Sequence, residues 1–372
     1  MKPYLFICLL SVASVGTAYA ETSTMNPIGF NKVVCLTNSD TIVGVPFRMQ
    51  GSMRDLVAGS PAAVPGEPDL MEIPLQALNL SPDSLDTHYL MFDGGTRDGR
   101  WYDITANTAT SVTIDLNGDD LDGVGNGNPV IITEYWTLDT LFPPDQATTS
   151  WTADPESGEM IQNGHAIVAS SNTSLRTRRT QVYISDSVSD GINFSAVETF
   201  YITNGQWYDA RNNQPLDLDF VLMPDQYFTI SHPATVSAPT VYRSAGEVAS
   251  SDFTIPLRAI TTGAQDNYVA IPRPIDLRLD QLNLYESGAF VASSSTSLRN
   301  RKDELLVFDN EVALRNRSAS AIFYHNGVTW LNAANHNVAS DYVIPAAAGF
   351  VIRKARVNVR STSFWQNIPT YD

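Results

Sequence analysis

Aromatic and β-branched residues fall in short runs divided by Gly, Pro, Asn and Asp, and no segment sustains apolar positions at i, i+3, i+4 and i+7 for long. The pattern predicts an all-β chain: tandem β-sandwich or β-barrel-like modules with short strands and little helix. Glu134 to Leu141 is the best short helical candidate. The clearest hairpin is Phe200-Tyr201-Ile202-Thr203, then Asn204-Gly205, then Gln206-Trp207-Tyr208, because Asn-Gly takes the positive φ angles of a two-residue turn. Ile322 to Leu331 repeats it around Asn326-Gly327, and Asp98-Gly99 before Trp101 is a third candidate. The first two hairpins are each followed by another strand pair, Phe220–Pro224 with Tyr227–Ile230 and Tyr342–Pro345 with Phe350–Ile352.

The hairpins belong to a longer recurrence. Val168 to Arg178 (VASSNTSLRTR) returns as Val291 to Arg301 (VASSSTSLRNR) with nine identities at a shift of 123 residues. The same shift carries Asp186 onto Asp309, Asn193 onto Asn316, Ser195 onto Ser318, Phe200 onto Phe323 and Trp207 onto Trp330. Register kept over that length predicts a duplicated module. A second echo links the N-terminal part to the middle: Asp40-x-Ile-Val-Gly-Val-Pro46 with Asp266-x-Tyr-Val-Ala-Ile-Pro272, and Ile73-Pro-Leu-x-Ala-Leu78 with Ile255-Pro-Leu-x-Ala-Ile260. Polar stretches place boundaries near 155 and 280, giving a signal peptide (1–20), an N-terminal β domain (21–155) and two module copies (156–280 and 281–372).

Composition sets the compartment and excludes some partners. Lys2, the apolar run Tyr4 to Val15 and the small-x-small end Ala18-Tyr19-Ala20 predict a cleaved secretory signal, hence a secreted, extracellular or cell-surface protein. No later segment offers the roughly 20 continuous apolar residues of a spanning helix. Loss of Cys8 with the signal leaves Cys35 as the lone thiol, expected as a buried small hydrophobe, though pairing between chains stays open. The formal net charge of −17 becomes −18 without Lys2, which makes nucleic acid and anionic membrane poor partners, so no nucleic acid and no membrane span are expected.

Cys35-Leu-Thr-Asn-Ser-Asp-Thr-Ile-Val-Gly-Val-Pro-Phe47, Trp101 to Asp115, the box Trp136-Thr-Leu-Asp-Thr-Leu-Phe-Pro143 and Asn316-Arg-Ser-Ala-Ser-Ala321 together resemble an uncharacterised family of secreted β-rich proteins from Verrucomicrobia-type bacteria. The likeness spans most of the exported chain. It implies export, β-rich structure and no assigned catalytic residue.

Three constellations are candidates for chemistry. Asp115, Asn117, Asp119, Asp120 and Asp122 space oxygens as a Ca²⁺ loop does, but Asp120 stands where such a loop needs Gly and Asn126 where it needs a bidentate Glu. A solvated turn held by Asx bonds accounts for the same residues. The pairs Arg176/Arg178 and Arg299/Arg301 offer guanidiniums to a glycan or to another subunit; alternatively they serve internal ion pairs near Asp186 and Asp309. Trp207 and Trp330, with Trp101, are sugar platforms or cross-strand packing.

Enzyme motifs are missing: there is no Gly-x-Ser-x-Gly, His-Glu-x-x-His, phosphate loop or paired Cys, and His88, His165, His232, His325 and His336 show no ligand spacing. Forty acids still allow a carboxylate pair that sequence order does not reveal. The reading is a non-enzymatic structural protein that associates with itself or with other surface proteins, exposed strand edges being one route to assembly. No cofactor is expected beyond the Ca²⁺ candidate. The alternatives are a carbohydrate-binding protein on an extracellular glycan and a glycan-active hydrolase.

Overall fold

The computed structural model describes residues 27–217, 219–369 and 371, so the expected signal peptide lies outside the described residues. The chain is all-β. Strands follow one another from Ile28 to Asn367, and the α-helix found among the described residues is the single turn Leu138–Leu141. Thr137 caps that turn, its hydroxyl accepting from Thr140 N. Glu134, expected in the helix, instead ends the strand Pro129–Glu134, whose β-branched run pairs with His88–Phe92.

Three antiparallel sheets organise the chain. Seven strands between Met53 and Glu134 form one, ordered Met53–Leu56, Pro129–Glu134, His88–Phe92, Trp101–Asn107, Ser111–Asp115, Glu67–Pro74 and Ala62–Val64. A six-stranded sheet runs Gln214–Pro215, Gln206–Asp209, Ala196–Thr203, Gln181–Ser185, Phe228–His232 and Ser39–Val43. The five-stranded sheet reads Trp330–Asn332, Ala321–His325, Glu304–Val307, Gly349–Lys354 and Gln265–Ala270, the same order without the first short strand. Two ribbons accompany them, Ile28–Cys35 with Thr240–Glu247 and Phe253–Ala259 with Ser361–Asn367.

These pairings cross the boundaries placed near 155 and 280. Residues 28–43 hydrogen-bond with 228–247, and residues 253–270 with 349–367. The seven-stranded sheet is thus set between Val43 and Trp136, inside the unit formed by the six-stranded sheet and its ribbon. Polar linkers mark surface loops, and they carry no information about which distant strand completes a sheet.

The Asn204-Gly205 turn forms as expected: Thr203 pairs with Gln206, and both turn residues have positive φ, 52° and 70°. The second hairpin is wider. His325 pairs with Trp330, and Asn326 Oδ1 accepts from Val328 N and Thr329 N, making a side-chain-held turn of four residues. Asp98-Gly99 lies in a longer connection between His88–Phe92 and Trp101–Asn107, with Gly99 at positive φ against the backbone of Asp252 and Phe253.

Positions 123 apart make matching contacts. Ser170 N donates to Ile202 O and Ser293 N to His325 O, both at 2.8 Å. Ser170 Oγ accepts from Arg179 N as Ser293 Oγ does from Lys302 N. Beneath these loops sits a buried polar node whose chemistry differs. In one segment Val168 N donates to Thr180 Oγ1, which meets His232 Nδ1 at 2.9 Å, and His232 Nε2 meets Thr240 Oγ1 at 2.8 Å. Thr240 Oγ1 donates onward to Ala166 O, so it accepts from Nε2–H. Burial pushes His232 down to about 4. In the other segment Val291 N donates to Asp303, and Lys354 Nζ holds both Asp303 and Ala289 O.

The two units meet reciprocally. Asp266 N donates to Gly191 O and Asp266 Oδ2 accepts from Asn193 N, both at 2.9 Å. Asp40 N likewise donates to Leu314 O, 2.9 Å, and Asp40 Oδ2 accepts from Asn316 N, 2.7 Å. Gly44 N reaches Ala347 O, and its counterpart Ala270 N reaches Asp225 O. These three matched pairs of contacts relate the two sides of the face by an approximate two-fold. On the local axis the counterparts touch each other: a Cβ on Gly44 would lie 2.2 Å from Ala270 Cβ, and one on Gly349 2.4 Å from Tyr227 Cβ. Ile42, Tyr227, Tyr268, Ala270, Leu306 and Val351 form an apolar cluster around it.

This contact also covers the sheet edges that were expected to be exposed. Along Ser39–Val43, Asp40 N and Ile42 N are taken by Leu314 O and the Asn310 side chain, whose amide returns a bond to Ile42 O. The opposite edges are short, Gln214–Pro215 and Trp330–Asn332.

Two measurements check this arrangement. Gly44→Ala is expected to destabilise by about 1–3 kcal/mol through overpacking, and adding Ala270→Gly is expected to recover most of it in urea unfolding; an unchanged midpoint for the single variant refutes the axial contact. His232→Lys alone buries an unpaired ammonium and should cost about 3–5 kcal/mol. Combining it with Thr180→Asp should restore the midpoint, and failure to do so means the two nodes are not equivalent environments.

Candidate functional site

Trp207 and Trp330 face inward. They are 3% and 2% exposed, so neither presents a face to a sugar ring, and their candidacy as ligand platforms is corrected to core packing. The cause is cross-strand register: Trp207 pairs with Ile202 and Trp330 with His325, on faces that turn toward the core. Trp330 packs on Phe290 at 4.9 Å and on His325 at 5.3 Å. Trp101 is half-buried and stacks on Phe253 at 6.3 Å.

The arginine pairs divide in the same way in both segments. Arg178 lies over the Tyr201 ring at 4.6 Å and Arg301 over Tyr324 at 4.7 Å. Arg178 also donates to Ala210 O and Asn213 Oδ1, Arg301 to Glu304 Oε1 and Thr296 O. Their internal partner is therefore an aromatic face, not Asp186 or Asp309, whose carboxylates accept from their own turns at Val188, Ser189 and Glu311. Arg176 and Arg299 are exposed at the tips of the turns Leu175–Thr177 and Leu298–Asn300. Beside them Leu175 and Leu298 are each 74% exposed.

The acidic loop is held by arginine. Asp119 accepts from Arg100 and from Tyr102 OH, with Arg97 at 3.9 Å, and Asp120 pairs with Arg97. Asp115 accepts from Asn117 N and Asp120 from Asp122 N, the Asx turns that a solvated loop predicts. Among the described residues no three acids, His or Cys gather as a metal group. Of the candidate ligands Asp115, Asn117, Asp119, Asp120 and Asp122, Asp119 and Asp120 are engaged by arginine, and Asp115 and Asp120 accept from the loop's own backbone. Arg97 and Arg100 were not singled out in the sequence; the hairpin of Trp101–Asn107 with Ser111–Asp115 brings the residues before it against the loop after it.

A buried acid was also missed. Asp225 is 6% exposed and its Oδ1 has no hydrogen-bond partner; burial first, then the nearby Asp103 charge, pushes it up to about 7. Asp103 accepts from Tyr135 OH. No sequence motif surrounds Asp225; only its place beside the two-fold face buries it.

A cavity of about 270 Å³ opens between Ile184–Val188, Val197–Glu198 and Phe220–Phe228. Two acids, Asp186 and Glu198, line it, but neither is arranged as a glycosidase acid. Ser189 and Val188 hold Asp186 below the usual carboxylate range, whereas a general acid needs the opposite shift. Glu198 is paired with Arg211. Among the described residues no helix is long and apolar enough to cross a membrane. The chain matches no protein-family model, no curated protein and no solved structure.

Asp119→Asn is expected to destabilise by about 3 kcal/mol, because it leaves the largely buried Arg100 without its counter-charge while Arg97 keeps Asp120. The wild-type melting temperature is expected to stay unchanged on adding Ca²⁺ or chelator. A calcium-dependent rise in calorimetry would restore the metal reading.

Proposed function

We propose that this chain is a secreted, non-enzymatic β-structural protein of the cell surface or extracellular matrix, built from two copies of one module with a seven-stranded sheet inserted in the first. The observation that carries the reading is the reciprocal contact through Gly44 and Ala270, Asp40 and Asp266. A two-fold face closed within one chain locks the two units into a stiff body, as a scaffold requires. Assembly then proceeds through side chains on loops, since the edges Ser39–Val43 and Gln265–Ala270 are engaged within the chain.

The carbohydrate-binding reading loses support with the burial of Trp207 and Trp330. The hydrolase reading has two acids at a cavity, one of them committed to capping its own turn.

Light scattering coupled to size exclusion on the purified protein tests the proposal. Concentration-dependent oligomers are expected; a monodisperse monomer at high concentration, with or without Ca²⁺, overturns it.

A further inference from the structure

We infer that the exposed loop tips Leu175-Arg176 and Leu298-Arg299 dock into the cavity beside Val197 and Phe220 on a second copy of this chain. The inference rests on the self-associating reading above and names its contact.

The first observation is what the two segments kept and what they changed. The buried node has exchanged Thr180 for Asp303 and His232 for Lys354, a change of chemical class where packing is tightest. Ser174-Leu175-Arg176 and Ser297-Leu298-Arg299 are identical. Internal contacts explain other shared residues of the loops: Ser170 and Ser293 bind backbone, Arg178 and Arg301 cover tyrosines. The leucines are 74% exposed in both places, so core packing does not explain them. An exposed leucine held beside an exposed arginine, twice, is a knob with a charged collar.

The second observation is a receptor of matching character. Ile184, Val188, Val197, Phe220, Met223 and Tyr227 give the cavity an apolar lining, and Asp186 and Glu198 place carboxylates along it. Its volume of about 270 Å³ falls below the roughly 300–1,000 Å³ of small-molecule sites, a size suited to one aliphatic side chain. An arginine beside that side chain meets carboxylate oxygens that keep free lone pairs after capping a turn or meeting Arg211. The rest of the chain is strongly acidic, so a basic loop is attracted to a neighbouring copy. Knob and cavity are different patches of one molecule; such a heterologous contact propagates into a ring or an open chain.

Sedimentation velocity over a concentration series, on the wild type, on Leu175→Asp with Leu298→Asp, and on Val197→Trp, decides it. All substituted positions are solvent-exposed, and circular dichroism with thermal melting checks that each variant folds. Wild type should self-associate, and both the double variant and the cavity-filling variant should associate at least about tenfold more weakly, the loss expected of a central anchor. If wild type assembles while either set of variants matches it, this pairing is overturned and the scaffold reading stands. A monomeric wild type overturns both.

Discussion

The close approach of Gly44 to Ala270 sets the architecture. No side chain fits between these backbones beyond the one methyl present, and Gly349 likewise leaves its space to the Tyr227 and Ile42 side chains. Close approach brings two sheet edges together, and each edge then presents unpaired amides that need partners in the dry contact. The partners come from loops that arch over from the opposite unit, 187–194 on one side and 309–317 on the other. Asn193 and Asn316 enter at positive φ, a conformation that asparagine tolerates better than most residues. The contact covers the edges Ser39–Val43 and Gln265–Ala270, which would otherwise be open to lateral pairing.

Around that face, burial and charge are managed differently in the two units. A neutral Thr–His–Thr chain and an Asp–Lys pair occupy equivalent places beneath the repeated loops. Both satisfy the amide of the first loop residue, Val168 or Val291, so the backbone demand is constant while the side chains that meet it are free to change. The neutral version makes the first unit sensitive to acid. His232 is neutral when folded and titrates near 6.5 when unfolded, so its contribution is complete above that value and is lost as pH falls toward about 4. Asp225 works in the opposite sense: its carboxyl, raised to about 7, favours folding most below pH 3.8 and loses that contribution as pH rises through 7.

An acidic chain uses its few basic groups with economy. Arg97 and Arg100 gather Asp119 and Asp120, Arg353 holds Asp266 at the two-fold face, and Arg258 and Arg360 share Asp190. Arg178 and Arg301 cover tyrosine rings. Arg176 and Arg299, each beside an exposed leucine, face solvent at the loop tips.

The chain by itself determined the class of structure: alternating short runs specify strands, Asn204-Gly205 specifies its hairpin, and the missing helical period excludes long helices. It also carried the correspondence at 123 residues, because packing demands at Ser170, Tyr201 and Trp207 recur at Ser293, Tyr324 and Trp330. The echo between Asp40–Pro46 and Asp266–Pro272 was legible as well, though not its meaning, which is that both are the edge strands facing each other. Sheet completion, the inserted seven-stranded unit, the burial of the two tryptophans and the arginine grip on the acidic loop were decided by tertiary structure alone. Sheet completion and the insertion depend on pairing between residues tens to hundreds of positions apart, and local pattern states that a strand has two faces without stating what covers each.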